Sequence, residues 1–240
     1  MTNTRKARIS VILGNIVICV TVAVLLLVTV APTEAKPASQ ATEPYYNGES
    51  DKSVSLMVNV YWGTEYIAPI LDIFARHDVT TTFFVGGSWA AGNESTLKAI
   101  VAAGHEIGNH GYYHKDHKKL DGAYNRKEIS SAHAVVKDVT GIDMTLFAPP
   151  SGAFGAATLD AASELGYKTV MWTRDTIDWR DHDSELIYKR AVKNIKGGDL
   201  ILMHPTECTV AALDRIITEI ERNGLTVACV SEVLVGHSEQ

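Results

Sequence analysis

Gly104-His105-Glu106-Ile107-Gly108-Asn109-His110-Gly111-Tyr112-Tyr113-His114 is the segment from which the chain is read outward. Glu106 and Ile107 form a short buried stretch, and two imidazoles four residues apart follow it. On a helical turn that spacing puts both rings on one side, where they can hold one divalent cation. The same spacing also arises in a locally histidine-rich loop, and His117 lies nearby. Metal ligation and solvent-exposed histidines therefore both stand at this point. His105 reads as a surface residue or a local hydrogen-bonding group.

Upstream, residues 53–60 partly alternate and read as a strand. Residues 66–76 carry Ile67, Ile70, Leu71, Phe74 and Ala75 at helical spacing. Residues 80–85 are β-branched and aromatic, with Gly86-Gly87 as their terminator, and residues 95–103 read as a helix. Downstream the pattern repeats. Helices are expected over 126–140, 156–165, 184–195 and 211–223, and strands over 144–147, 167–171, 200–203 and 225–230, with a short turn at 231–235. Gly141, Gly166 and Gly224 stand as helix stops. Alternating strands and helices, with several strands continuously apolar, require a parallel sheet covered by helices. A β/α barrel and an open doubly wound sheet both satisfy the pattern.

In such folds the loops after the strands carry the chemistry. Asn59 ends the first strand, followed by Val60, Tyr61 and Trp62. A carboxamide can orient a ligand but cannot take a proton near neutral pH. Local backbone capping is the alternative. Ala148-Pro149-Pro150-Ser151 either walls a pocket or turns the chain. Asp175-Thr176-Ile177-Asp178-Trp179 places two carboxylates and an indole after a strand; the alternatives are a solvated charged loop and a core aromatic. Asp183 reads as the cap of the next helix. His204 follows the apolar run 200–203, and a buried imidazole must find partners, which makes it a candidate acid/base. Asp178 would fix its tautomer if the two meet.

Together these positions resemble the polysaccharide deacetylases of carbohydrate esterase family 4. The resemblance runs from about residue 53 to residue 235 and rests on Thr82-Phe83-Phe84-Val85-Gly86, the 104–114 segment, Asp175-Thr176-Ile177-Asp178-Trp179 and Leu200-Ile201-Leu202-Met203-His204. It implies an α/β fold, a distorted seven-stranded β/α barrel. Trp62-Gly63-Thr64-Glu65-Tyr66 resembles the divergent branch associated with spore formation in Gram-positive bacteria. The resemblance implies a divalent metal, usually zinc, held by His110, His114 and an aspartate. It implies His204 as general acid, Asp178 as its tuning carboxylate, Asp175 in the same motif and Trp179 as a pocket wall. Asn59, Trp62, Pro149 and Pro150 are the further expected pocket residues.

Three positions depart from the family pattern. Asn59 stands where the base aspartate belongs, Val60 where the metal aspartate belongs, and Ala148 where an arginine belongs. Losing arginine and aspartate together leaves a neutral wall rather than an unpaired cation. Losing the metal aspartate leaves two protein ligands and weaker binding. Asp116 and Glu65 are candidate replacements for a lost carboxylate. The matched residues lean toward an active hydrolase of N-acetyl groups on peptidoglycan or another N-acetylated glycan. The departures favour the alternative, a catalytically inactive glycan-binding or envelope protein.

The N-terminus sets the expected location. Arg5, Lys6 and Arg8 precede an apolar run over residues 9–30, long enough to cross a hydrocarbon layer of roughly 30 Å. Residues 1–31 are accordingly expected to be a cytoplasmic tip and transmembrane anchor, with a cleaved signal peptide as the second reading. Residues 32–52 read as a flexible linker and 53–236 as the deacetylase-like domain. The expected location is the cell membrane, single-pass, with the C-terminal domain outside the cytoplasm and the N-terminal helix in the lipid bilayer; cleavage would make the protein secreted. The formal net charge is −6, and setting aside the three basic and one acidic residues of the first 35 leaves −8. Such a balance argues against nucleic acid as a partner. Cys208 and Cys229 either pair or remain thiols.

Overall fold

The computed structural model describes residues 43–235 together with Ile16 and residues 18–21. The chain divides into two units, residues 1–38 and 39–240. In the first, Ile16 and residues 18–21 are helical and exposed. Among the described residues no helix is long and apolar enough to cross a membrane. The rest of the expected 9–30 span lies outside the described residues. The expected transmembrane helix, its contact with the lipid bilayer and the single-pass topology are therefore withdrawn.

In the second unit, β1 (Ser53–Val60) is buried along its whole length. It pairs in parallel with β2 (Thr82–Val85) on one side and β7 (Leu200–Met203) on the other. The sheet continues outward from β2 through β3 (Glu106–Asn109), β4 (Leu146–Phe147) and β5 (Lys168–Thr169), and from β7 to β6 (Arg174–Asp175). An eighth strand, β8 (Thr226–Val227), pairs with the start of β1. Every pairing is parallel, and the edges β5 and β6 do not meet, so the sheet is curled but open, a half-barrel. This is the distorted barrel that the sequence implies, with one strand more than the expected seven.

The pleat of β1 sorts its side chains. Val54, Leu56, Val58 and Val60 belong to the larger core, with Ile70 and Phe74 of α1 (Ile67–Arg76) and Leu213 and Ile216 of α8 (Glu207–Arg222). Met57 belongs to a second core with Phe84, Leu146 and Val170. Successive strand residues face opposite sides. Asn59 shares the parity of Met57, so it points away from the helices that cover Val60.

Between β2 and β3 lie α2 (Gly87–Gly92) and α3 (Glu94–Ala102). The Gly86-Gly87 pair was expected to end a strand; it also opens α2, with Gly86 as N-cap. Gly87 permits close approach of α4 (Gly122–Thr140), since a Cβ there would lie 2.8 Å from Ala132 Cα. Gly141 stops α4 at φ 77°. Then come α5 (Ala156–Glu164), α6 (Asp178–Asp181), α7 (Ser184–Val192) capped by Asp183, and, after β8, α9 (Val230–Val235). The backbone just before β1 is also held: Tyr45 N–H donates to Thr169 O and Gly48 N–H to Gly198 O. Cys208 and Cys229 are free thiols.

Candidate functional site

The strand ends converge on one cavity of about 310 Å³. His110 follows β3 directly. It is 2% exposed, and its Nδ1–H donates to Ala148 O at 2.7 Å. Burial, reinforced by the neighbouring charge of His114, pushes its pKa down to about 3, so the ring is neutral and turns Nε2 to the cavity. The chain then swings at Gly111, φ 70°, where a Cβ would come within 2.8 Å of His117 Nε2. His114 itself sits at φ 54°. The 110–114 segment is thus a loop, not the helical turn that the four-residue spacing suggests. The loop still brings the two rings to 5.0 Å between centroids. Burial lowers the His114 pKa as well. Its ring lies flat on Tyr61 at 3.9 Å.

His204 enters from the opposite side, after β7. Its backbone N–H donates to Asp178 Oδ2 at 2.6 Å and its Nδ1–H to Asp178 Oδ1 at 2.8 Å. Thr209 Oγ–H donates to Asp178 Oδ2 at 2.6 Å. Asp178 is fully buried behind the imidazole. Burial works to raise its pKa, but the hydrogen bonds and charge from His204 and the bond from Thr209 outweigh it and leave the carboxyl below its usual range. The turn that delivers Asp178 puts β-branched Ile177 at φ 54°, and Asp175 Oδ1 accepts the Ile177 N–H at 2.8 Å to hold it there. Trp62 stacks over His204, ring centroids 5.5 Å apart.

Of the expected site residues, Asn59, Trp62, His110, His114, Asp175, Trp179 and His204 line this cavity. Asp178 stands behind it. Pro149 and Pro150 are not among the lining residues; the short turn Pro150–Gly152 instead offers Ser151, held at φ 55°. Sequence reasoning placed Ser151 in a segment that could wall a pocket without singling it out, and it missed Trp172 and Leu202 as lining residues. Trp172 follows the strand region after Tyr167, and that position was the available signal. Trp62 and Trp179 are 41% and 51% exposed. The candidate substitutes for a lost carboxylate lie elsewhere. Glu65 accepts the Thr64 N–H, and Asp116 pairs with Lys119 at 2.9 Å. His117 is fully buried, its Nδ1–H bonded to Asn125 Oδ1, and His105 Nδ1 accepts the Thr81 N–H. Neither is a surface histidine.

The metal implied by the resemblance does not fit the residues present. Val60 is buried in the larger core, and Asn59 supplies a carboxamide. Among the described residues no group of three or more His, Cys, Asp or Glu can hold a metal ion. Asn59 Oδ1 is buried and makes no hydrogen bond. A base aspartate here would take the proton of a water molecule; a carboxamide cannot.

Residues 46–170 match the polysaccharide deacetylase family model. The chain belongs to this family. It is 31% identical over 213 residues to a peptidoglycan-N-acetylglucosamine deacetylase of Bacillus cereus, covering 84% of this chain and 96% of that protein. It is 38% identical over 207 residues to the Bacillus subtilis protein YlxY, where it spans 84% of this chain but only 65% of that protein. Among solved structures it is similar to a family 4 carbohydrate esterase pseudoenzyme from Bacillus anthracis, at 36% identity and a TM-score of 0.78, covering 81% and 73% of the two chains. A mutant of that pseudoenzyme with restored enzymatic activity superposes equally well, at a TM-score of 0.78. The similar structures of this family thus include one described as a pseudoenzyme. Together with the lack of a metal-holding cluster among the described residues, this overturns the expectation of an active hydrolase; it agrees with the weakened metal site implied by Val60 in place of an aspartate. The matches establish the family and no single branch of it.

Proposed function

We propose that this chain binds an envelope glycan, of the peptidoglycan class, on a polysaccharide deacetylase scaffold, without hydrolysing it. The observation that carries the reading is Asn59, a buried carboxamide in a cavity that otherwise keeps its aromatic walls and its His204–Asp178 pair. Binding needs ring faces and hydrogen-bonding groups, and these are present. Turnover needs a proton acceptor for water and a Lewis acid, and the residues for both are changed. The peptidoglycan class comes from what relatives such as the Bacillus cereus enzyme act on. Placement in the sporulation-associated branch rests on Trp62-Gly63-Thr64-Glu65-Tyr66 and belongs to the same proposal.

Co-sedimentation of the full chain with purified peptidoglycan tests the reading. The wild type should pellet with the glycan and release no acetate when Zn²⁺ is supplied. Trp62→Ala and Trp179→Ala, each removing an exposed indole ring, should weaken binding by about ten-fold, the scale of one good aromatic contact. No association with peptidoglycan, or acetate release above background, would overturn it.

A further inference from the structure

A glycan site that does not remove acetyl groups can still distinguish sugars by whether the acetyl group is there. The polar groups of the cavity bear on that choice. Among the described residues no lysine or arginine lines it, whereas Asp175 contributes a carboxylate. His110 bonds Ala148 O through Nδ1 and His204 bonds Asp178 Oδ1 through Nδ1, which leaves the Nε2 atom of each ring for the cavity. Asn59 is 4% exposed and lines the cavity; its side-chain oxygen is buried without a hydrogen-bond partner, so a ligand meets it only when the carboxamide turns. Around these acceptors stand Trp62, Trp172 and Trp179. Indole faces attract cations through the ring quadrupole.

The carbonyl oxygen of an acetamido group is served best by a strong donor or a cation. The arginine and the metal carboxylate of the family pattern are replaced by Ala148 and Val60, both buried and apolar. An ammonium group needs the opposite: several acceptors, one carboxylate and aromatic walls. The formal net charge of −6 favours a cationic ligand in the same sense.

We infer that the cavity is selective for a de-N-acetylated amino sugar, a glucosamine-type unit with a free ammonium group, over its N-acetylated counterpart. Asp175 is the residue that sets the preference. The inference rests on the reading that this cavity holds a glycan, and it names which chemical form. Such a ligand is the product of an N-deacetylation reaction, so the class of reaction that supplies it is the one this chain's relatives catalyse.

The test is calorimetric titration of the full chain with two probes, the β-1,4-linked tetramer of glucosamine and the tetramer of N-acetylglucosamine, at pH 6 and low salt. The glucosamine tetramer should bind about ten-fold tighter, and the preference should shrink with added salt. Asp175→Asn keeps an acceptor for the Ile177 N–H and should remove most of the preference, through a loss of affinity for the glucosamine tetramer. Asn59→Asp should strengthen it. Equal or tighter binding of the acetylated tetramer would overturn the inference and leave glycan binding standing. Binding of neither tetramer, together with no peptidoglycan association, would overturn the underlying reading as well. A preference that survives Asp175→Asn unchanged would remove Asp175 from its role.

Discussion

Buried imidazoles are the most condition-sensitive groups of this protein. Burial lowers the pKa of His110 to about 3 and of His105 to about 4, and lowers those of His114 and His117. In the unfolded chain each returns to its ordinary value near 6.5. Below that value the unfolded state binds protons that the folded state refuses, so stability is full above about pH 6.5 and falls as pH drops toward the folded values. Each proton refused costs about 1.4 kcal/mol per pH unit in this window. Thermal or urea unfolding should therefore show a clear loss of stability from pH 7.5 to pH 5. His105→Asn, which lies outside the cavity, should flatten the slope. A flat profile between those pH values would contradict the burial assigned to these rings. The burial of His117 was not legible in the sequence, because it comes from the fold-back at Gly111 and from Asn125, eight residues downstream.

At the scale of elements, reading by periodicity worked where apolar spacing was strong and failed where glycine or strain set the path. Strand β7 begins and ends where the sequence placed it, and α1 differs by one residue. Helix α2 went unread because Gly86-Gly87 looks like punctuation, and β6 and α6 went unread because the left-handed turn at Ile177 has no propensity signal. The Gly87 contact gives this scale its own prediction. In Gly87→Ala the new Cβ would meet Tyr112 Cδ2 at 2.5 Å and Ala132 Cα at 2.8 Å. Overpacking of this kind costs about 1–3 kcal/mol. Gly92→Ala, in the same helix with nothing within 4 Å, should be neutral or mildly stabilising. Equal unfolding midpoints for the two variants would show that α2 does not pack on α4 as described.

For the whole molecule, the sequence made the parallel α/β architecture legible because a buried parallel sheet demands long apolar strands such as β1. It also made legible which residues approach the site, since parallel strands deliver their C-terminal ends to one side. The open edge between β5 and β6, Trp172 and the loop conformation of 110–114 were not legible; they depend on contacts between segments far apart in the chain. The proposed binding without hydrolysis turns on two residues at one strand end. Asn59 faces the cavity and cannot accept a proton, and Val60 is buried in the larger core.

The most direct measurement is a proton NMR spectrum of a partially de-N-acetylated chitooligosaccharide mixed with the full chain and Zn²⁺, followed for a day. The account predicts that sugar and acetyl resonances broaden or shift as the glycan binds, while no free acetate signal grows. A rising acetate signal that requires His204 would contradict it, and so would a spectrum identical to that of the free oligosaccharide.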